Sequence, residues 1–270
     1  MIEQLRPGVH AKNARVVLFD FDGTISLIRA GWMEVMVPMM VGILLDLKTG
    51  ESEEELRAIV EEFVGRLTGK QTMYQMIELA ENVQARGGNP PDPLEYKKRY
   101  LDLLHKKIHH RLEELESGAA SPEKYLVPGA RVLLESLHSR GLKMYLASGT
   151  DQVYMRKEAR LLDVDRYFEG GVFGALDDYK SFSKKILIQQ VIAKSECRGD
   201  QFLGFGDGYV EIENVKEVGG VAVGVATAEP ECQVVDQWKR QRLAGVGADF
   251  IIPNFLCHRE LLHTLFLNGQ

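Results

Sequence analysis

Cysteine is scarce in this sequence, and its few cysteines lie far apart. The chain has 270 residues and three cysteines, Cys197, Cys232 and Cys257, none of which forms a CxxC pair. An odd number of widely spaced thiols argues against both a disulfide framework and a zinc site. The sequence therefore predicts a reduced, cytoplasmic protein with free thiols.

Long hydrophobic runs and an excess of positive charge are also missing. The most apolar stretch, Val35 to Leu45, has 11 residues, whereas a membrane-spanning helix needs about 20. The N-terminal sequence MIEQLRPGVH has no apolar segment typical of a signal peptide, so we expect none. The net charge is −6, which disfavours nucleic acid or an anionic membrane as a partner but leaves room for a local anion-binding pocket.

The pattern of apolar residues changes twice along the chain. Residues 15–26 read as a buried strand followed by a loop, and residues 27–126 read as helices. The helical stretch includes Ser52 to Leu67, which opens with a capping box formed by Ser52 and Glu55. Beyond this stretch, apolar strands alternate with amphipathic helices, one of them expected from about Cys232 to Leu243.

The alternation of strands and helices predicts the fold class. Apolar strands separated by helices are typical of a parallel sheet that is covered on both faces. We therefore predict an α/β fold, with a Rossmann-like doubly wound sheet formed by residues 1–26 and 127–270 and an all-helical insert over 27–126. In open sheets of this kind, ligands bind at the carboxyl ends of the strands.

Polar residues follow three of the predicted strands at corresponding positions. The first strand ends in Asp20, Asp22 and Thr24, the second in Ser148 and Gly149, and a later one in Asp207 with Glu211 close behind. Carboxylates gathered at one sheet edge would repel one another unless a cation joined them. Because these ligands are all oxygens, the cation that they suit best is Mg²⁺.

These segments resemble the motifs of a known family. The strings DFDGT, LASGT, a lysine that opens a helix, and GFGDGYVEIE resemble, in this order, the four motifs of the haloacid dehalogenase-like (HAD) phosphohydrolase superfamily. The resemblance runs from about residue 15 to 267. The insert over 27–126 matches the helical C1-type cap domain of this superfamily, and the pattern is similar to phosphoglycolate and phosphoserine phosphatases.

The resemblance implies a Mg²⁺-dependent phosphomonoester hydrolase that acts on a small phosphorylated metabolite. Asp20 would attack phosphorus and become an aspartyl phosphate. Asp22 would protonate the leaving oxygen and then activate water. The spacing of two residues on a turn would let both carboxylates face one phosphoryl group.

The remaining site residues are assigned by the same resemblance. Asp20, Asp207 and the backbone carbonyl of Asp22 would hold Mg²⁺, with Glu211 supporting them from nearby. The family usually has aspartate where this chain has Glu211, so Glu213 could share that role. The substrate's phosphoryl oxygens would be bound by Thr24, Ser148 and Gly149.

The motif lysine has more than one candidate. In the phosphoserine-phosphatase-like branch this lysine is followed by apolar residues three, four and seven positions later. Counting from Lys184 these positions are all apolar, whereas counting from Lys185 one of them is Gln189. We therefore assign Lys184 to offset negative charge on the nucleophile and the phosphoryl group, with Lys185 and Lys180 as alternatives.

The chain segment that leads into the insert carries Arg29 and Trp32. We assign Arg29 to the substrate, where its guanidinium could bind a carboxylate or a second phosphate, with Trp32 as an apolar wall. The alternative is a salt bridge between Arg29 and a glutamate of the cap. Two alternative functions also stay open: a phosphomutase of the β-phosphoglucomutase type, and a catalytically silent HAD-like protein that binds a ligand or partner.

Overall fold

The computed structural model describes residues 2–176, 183–195 and 197–266. Its strands form a single sheet. They are β1 (Glu3–Gln4), β2 (Val16–Phe19), β3 (Lys143–Asp151), β4 (Gly171–Ala175), β5 (Phe202–Gly206), β6 (Val221–Val225) and β7 (Phe250–Ile252). The order across the sheet is β1-β7-β6-β5-β2-β3-β4. All neighbouring strands run parallel except β1, which pairs antiparallel with β7.

Between β2 and β3 the chain forms four long helices, which make up most of the predicted insert. They are α1 (Met33–Leu45), α2 (Glu53–Leu67), α3 (Thr72–Ala85) and α4 (Pro93–Glu116). The expected capping box is present at the start of α2, where Ser52 and Glu55 bind each other's backbone N–H groups. Here we call residues 27–126 the cap and the rest of the chain the core.

The other helices alternate with the strands of the core. They are α5 (Ala130–Ser139), α6 (Gln152–Leu161), α7 (Lys184–Ser195), α8 (Tyr209–Glu217), α9 (Gln237–Gly245) and α10 (His258–Phe266). Helix α9 begins five residues after the predicted start at Cys232. The reason is local: the side chain of Asp236 accepts a hydrogen bond from the Lys239 N–H and caps the helix there.

The central strand shows why the sheet is covered on both faces. Val17 and Phe19 belong to an apolar cluster that continues into the cap helices, whereas Val16 and Leu18 belong to a second cluster with α7 and α8. Because successive side chains of a strand point to opposite faces, all four are buried. The pairing of β2 with β3 and β5, in which Phe19 lies beside Leu146 and Phe205, sets the position of the residues that follow it.

The two chain segments that connect the core to the cap lie side by side. The Leu27 N–H donates to the Tyr125 carbonyl at 2.8 Å, and the Val127 N–H donates to the Ile25 carbonyl at 2.9 Å. The cap thus leaves and rejoins the core at one point, next to the end of β2. The division into two domains at residues 26 and 127 remains a prediction.

Two further expectations concern the thiols and the membrane. Cys197, Cys232 and Cys257 are free. In the ranges that the structure describes, no helix combines the length and the hydrophobicity that a bilayer crossing requires.

Candidate active site

The three strands whose ends carry the predicted site residues are neighbours in the sheet. Strand β2 lies between β5 and β3, so that their carboxyl ends form one edge. A cavity of about 90 Å³ lies between this edge and the cap. Its core side is lined by Asp20, Asp22, Ser148, Gly149, Thr150, Asp151, Lys184 and Asp207, and its cap side by Arg29, Trp32, Met36, Thr68, Gly69, Lys70, Thr72, Gln75, Tyr100 and Leu101.

Asp20 and Lys184 form a buried ion pair at the bottom of the cavity. The Lys184 ammonium lies 2.7 Å from Asp20 Oδ1, and it also pairs with Glu211 on α8. All three side chains are less than one-tenth exposed. Lys185, the next residue on α7, is half exposed and pairs with Glu217 on the surface. The structure therefore brings Lys184, and not Lys185, to the carboxylate of Asp20.

Burial is the main influence on the protonation of Asp20. Desolvation raises the pKa of Asp20 to about 7; this value includes the lowering effect of Lys184 and the raising effect of the negative charge on Asp207. Asp20 and Asp207 are thus close enough to repel each other. An added cation at this edge would favour the ionised form of Asp20.

Asp22 is held by hydroxyl groups from the end of β3. Its Oδ2 accepts hydrogen bonds from Ser148 Oγ at 2.9 Å and from Thr150 Oγ1 at 2.8 Å. Its Oδ1 is buried and has no hydrogen-bond partner among the residues that the structure describes. One oxygen of Asp22 is therefore fixed, and the other is left for a ligand in the cavity.

Asp207 is fixed by residues on two different segments. Its backbone N–H donates to Thr24 Oγ1 at 2.9 Å, and its Oδ2 lies 2.9 Å from the ammonium of Lys239 on α9. Lys239 also lies 2.9 Å from Glu229. The predicted role of Thr24 differs from its placement: Thr24 is fully buried and supports Asp207 instead of lining the cavity.

The carboxylates at this edge fit a magnesium ion that keeps part of its water shell. Asp20 and Asp207 repel each other, and Asp22 follows Asp20 in the loop after β2. No three His, Cys, Asp or Glu side chains in the described ranges form a metal-binding cluster. Mg²⁺ does not require one, because it commonly binds one or two carboxylates together with water. Glu211, which pairs with Lys184, would support this site through the lysine.

Arg29 lines the cavity, but its guanidinium is already engaged. Its Nε and Nη2 donate to Glu158 at 3.1 and 2.7 Å, and both side chains are buried. The Nε of Arg29 also lies 3.9 Å from Asp22 Oδ1. The salt bridge weighed in the sequence is thus formed with α6 of the core rather than with the cap. Trp32 does line the cavity, as expected.

The loop between α2 and α3 lies directly on the core. A Cβ atom added to Gly149 would be 2.6 Å from the carbonyl oxygen of Lys70, and one added to Gly208 would be 3.0 Å from the Cα of Gly69. Only glycine admits so close an approach of two backbones at these positions. The structure therefore shows the cap packed onto the strand ends.

Sequence reasoning missed several residues of the site. Thr150, Glu158 and Lys239 contact predicted site residues, and Glu229 pairs with Lys239. Thr150 had a usable signal, since it follows Ser148 and Gly149 at a strand end. The others come from distant segments without a motif. Lys180, the third candidate for the motif lysine, lies outside the described residues.

Comparisons with known proteins show the family and the fold of the chain. A family model of haloacid dehalogenase-like hydrolases matches residues 14–219. No curated protein matches the chain. Among solved structures, the chain is similar to a predicted phosphoglycolate phosphatase from Haemophilus somnus, with 15% identity, a TM-score of 0.59, and coverage of 92% of this chain and 98% of that one.

Two further solved structures show that proteins with different names share this fold. A candidate β-phosphoglucomutase from Thermotoga maritima is 18% identical, with a TM-score of 0.53 and coverage of 92% of this chain and 98% of that one. A phosphonoacetaldehyde hydrolase-like protein from Oleispira antarctica is 15% identical, with a TM-score of 0.59 and coverage of 99% and 100%. At these identities the similarity shows the fold alone. The family match, which spans most of the chain, shows that this protein belongs to the haloacid dehalogenase-like hydrolases.

Proposed function

We propose that this protein is a Mg²⁺-dependent phosphomonoester hydrolase that acts on a small phosphorylated metabolite. The observation that carries the proposal is that two carboxylates line one cavity and have different hydrogen-bonding and charge partners. Asp20 lies against the ammonium of Lys184, whereas Asp22 is held through one oxygen by two hydroxyls. Such a pair suits a reaction in which one carboxylate attacks and the other transfers a proton.

In the first step, an oxygen of ionised Asp20 forms a bond to phosphorus as the bond between phosphorus and the ester oxygen breaks. Asp22 gives its proton to the departing oxygen, so that an alcohol leaves. Its Oδ1 suits this task, because that oxygen has no partner among the described residues. Lys184 stabilises the negative charge shared by Asp20 and the phosphoryl group.

In the second step, water attacks the phosphorus of the aspartyl phosphate. Asp22 takes the water proton, inorganic phosphate leaves, and Asp20 is again a free carboxylate. Asp20, Asp207 and the backbone carbonyl of Asp22 would hold Mg²⁺, which would supply charge stabilisation for the transferred group. Lys239 and Thr24 keep Asp207 in place during both steps.

The size and charge of the cavity indicate the kind of substrate. About 90 Å³ of space, closed over by the cap, suits a small ester and not a phosphorylated protein segment. Two of the cations on the cavity wall already have carboxylate partners, Arg29 with Glu158 and Lys184 with Asp20. Lys70 has none among the described residues and lies 5.7 Å from the ring of Tyr74. We propose that Lys70 attracts a second anionic group of the substrate.

Phosphate release from a panel of small phosphate esters tests this function. We expect turnover with Mg²⁺, none in EDTA, and inhibition by Ca²⁺, whose larger coordination shell would misplace Asp20. Full activity in EDTA would exclude the metal. Isomerised sugar phosphate without release of phosphate would indicate a mutase. Binding of esters without any reaction would indicate a silent member of the family.

A further inference from the structure

Helix α9 lies beyond residues 14–219, the range that the family model matches, and yet it contacts the active site. Lys239 of this helix pairs with Asp207 and Glu229, and its side chain is more than four-fifths buried. This ion pair ties the helix to the carboxylate edge of the sheet. Arg242, one helical turn further on, lies on the same side of α9 as Lys239.

Arg242 crosses from the core to the cap. Its Nη1 donates to the carbonyl oxygen of Gly65, and its Nη2 donates to that of Arg66 at 3.3 Å. Both carbonyls belong to the last turn of α2, where the helix leaves backbone oxygens available, although that of Gly65 also accepts a hydrogen bond from the Thr68 N–H at 3.1 Å. A cation at this end is also favoured by the helix dipole. Arg242 therefore binds the C-terminal end of a cap helix through its backbone.

The guanidinium of Arg242 is held on the core by two aromatic rings. It lies 5.0 Å from the centre of the Tyr209 ring and 4.4 Å from that of Trp238. Trp238 in turn packs on Gly65, where an added Cβ would lie 3.0 Å from the ring. Because both rings belong to the core, the guanidinium of Arg242 is held from the core side of this contact.

The end of α2 leads straight into the loop that closes the cavity. Thr68, Gly69 and Lys70 line the cavity, and this loop rests on Gly149 and Gly208. The position of the last turn of α2 therefore determines where the loop lies above Asp20. A second contact between cap and core, the pair of Lys97 and Asp151 at 2.5 Å, involves α4 instead.

We propose that Arg242 is a positioning residue, which binds the end of α2 and so holds the loop from Thr68 to Lys70 over the active site. Its effect on turnover rests on the proposed phosphatase function, whereas its effect on the loop does not. In Arg242→Met the loop should leave the core more often, so that the arrangement able to hold substrate is less populated.

Amide hydrogen exchange of the free protein, without substrate, tests the proposal directly. We expect Arg242→Met to speed exchange over residues 68–71 by about tenfold, because two hydrogen bonds from a charged group are lost. The rest of the cap and the melting temperature should change little. Arg198→Met is the matched control, since Arg198 is an exposed arginine that pairs with Asp200 on the core surface.

A second variant tests the same contact from the cap side without any change of charge. Gly65→Ala should favour the helical state of α2 and yet push Trp238 away, so that residues 68–71 exchange faster. Gly42→Ala in α1 is its control, because an added Cβ there has no neighbour within 4 Å. If Arg242→Met does not fold, Arg242→Lys takes its place, because lysine keeps the charge but lacks the forked donors that bind both carbonyls, so exchange over 68–71 should still be faster.

Kinetics then separate the two proposals. With p-nitrophenyl phosphate, kcat/KM of Arg242→Met should fall about tenfold, mainly through KM, while the Mg²⁺ concentration for half-maximal activity stays unchanged. Unchanged exchange over 68–71 in both variants would overturn the role of Arg242, whatever the activity. Faster exchange throughout the cap would also overturn it, since Arg242 would then be a general structural residue. Altered loop exchange in a protein that hydrolyses no ester would overturn the phosphatase function alone.

Discussion

The two walls of the cavity differ in how their polar groups are held. On the core wall, Asp20, Asp22 and Asp207 each contact a cation or hydroxyls that fix their position. On the cap wall, Trp32, Met36, Tyr100 and Leu101 are apolar or aromatic, and Lys70 faces a ring rather than a carboxylate. The core wall is suited to catalysis at phosphorus, while the cap wall is suited to selecting the substrate that carries the phosphate. Substitutions on the core wall should therefore affect every substrate, and those on the cap wall should discriminate among substrates.

The largest expected effect is at the nucleophile. Asp20→Asn should lower turnover of every ester by more than about 10⁴-fold, because a carboxamide is a far poorer nucleophile. The fold should persist, since the substitution keeps the shape of the side chain. Phosphate release and thermal melting would be measured together. Turnover within about tenfold of the unsubstituted protein would contradict the covalent mechanism.

Arg29 belongs to the cap wall but is paired with Glu158 of the core, so its removal should act mainly on stability. Arg29→Ala leaves Glu158 buried without its partner, which should cost about 3–5 kcal/mol in the free energy of unfolding. Denaturant titration would measure the loss. Activity should then fall equally on an aryl phosphate and on a substrate with a second anionic group. Unchanged stability with a loss confined to the second substrate would instead make Arg29 a substrate-binding residue.

The lysines at the start of α7 offer a comparison within one helix. Lys184→Ala should lower kcat by roughly 10²- to 10³-fold, the usual effect of removing one group that stabilises developing charge. Lys185→Ala should have almost no effect, because Lys185 is exposed and pairs with Glu217. The two variants would be assayed side by side on one ester. Equal losses would show that charge near the helix start matters more than contact with Asp20.

The smallest effect should be at the cap wall. Lys70→Ala should lower kcat/KM about tenfold on an ester with a second anionic group, as expected for one charge-assisted contact. An aryl phosphate without that group should be hydrolysed normally. Lys48→Ala, at another cap lysine away from the cavity, is the control. A similar loss on both esters would refute the proposed role of Lys70 in substrate choice.

The same contrast explains what the sequence could predict. The core wall follows strands that local patterns predict, so the apolar run Val16–Phe19 was enough to place Asp20 at a sheet edge. The motif order predicted the gathering of Asp20, Ser148, Lys184 and Asp207, and the capping box predicted the start of α2. These features depend on residues close together in the chain or at ends of neighbouring strands.

The features that the sequence could not predict depend on contacts between residues that are far apart in the chain. Arg29 and Glu158 are 129 residues apart, and no pattern links them. The antiparallel strand β1 has two residues, and it pairs with β7 through contacts that its own sequence does not indicate. The start of α9 was missed because Asp236, the N-cap residue, lies inside the range read as a helix. Lys239 therefore could not be placed beside Asp207 beforehand.

The central claim is that Asp20 becomes an aspartyl phosphate, and trapping that intermediate tests it most directly. Asp22→Asn lacks the base that activates water, and an aryl leaving group needs little protonation, so this variant should accumulate the phosphoenzyme. The reaction with p-nitrophenyl phosphate would be quenched in acid, treated with borohydride, which reduces an acyl phosphate to an alcohol, and digested for mass spectrometry. The account predicts homoserine at position 20 and none in the double variant with Asp20→Asn. Intact Asp20 in a sample that has released a stoichiometric burst of nitrophenol would contradict it.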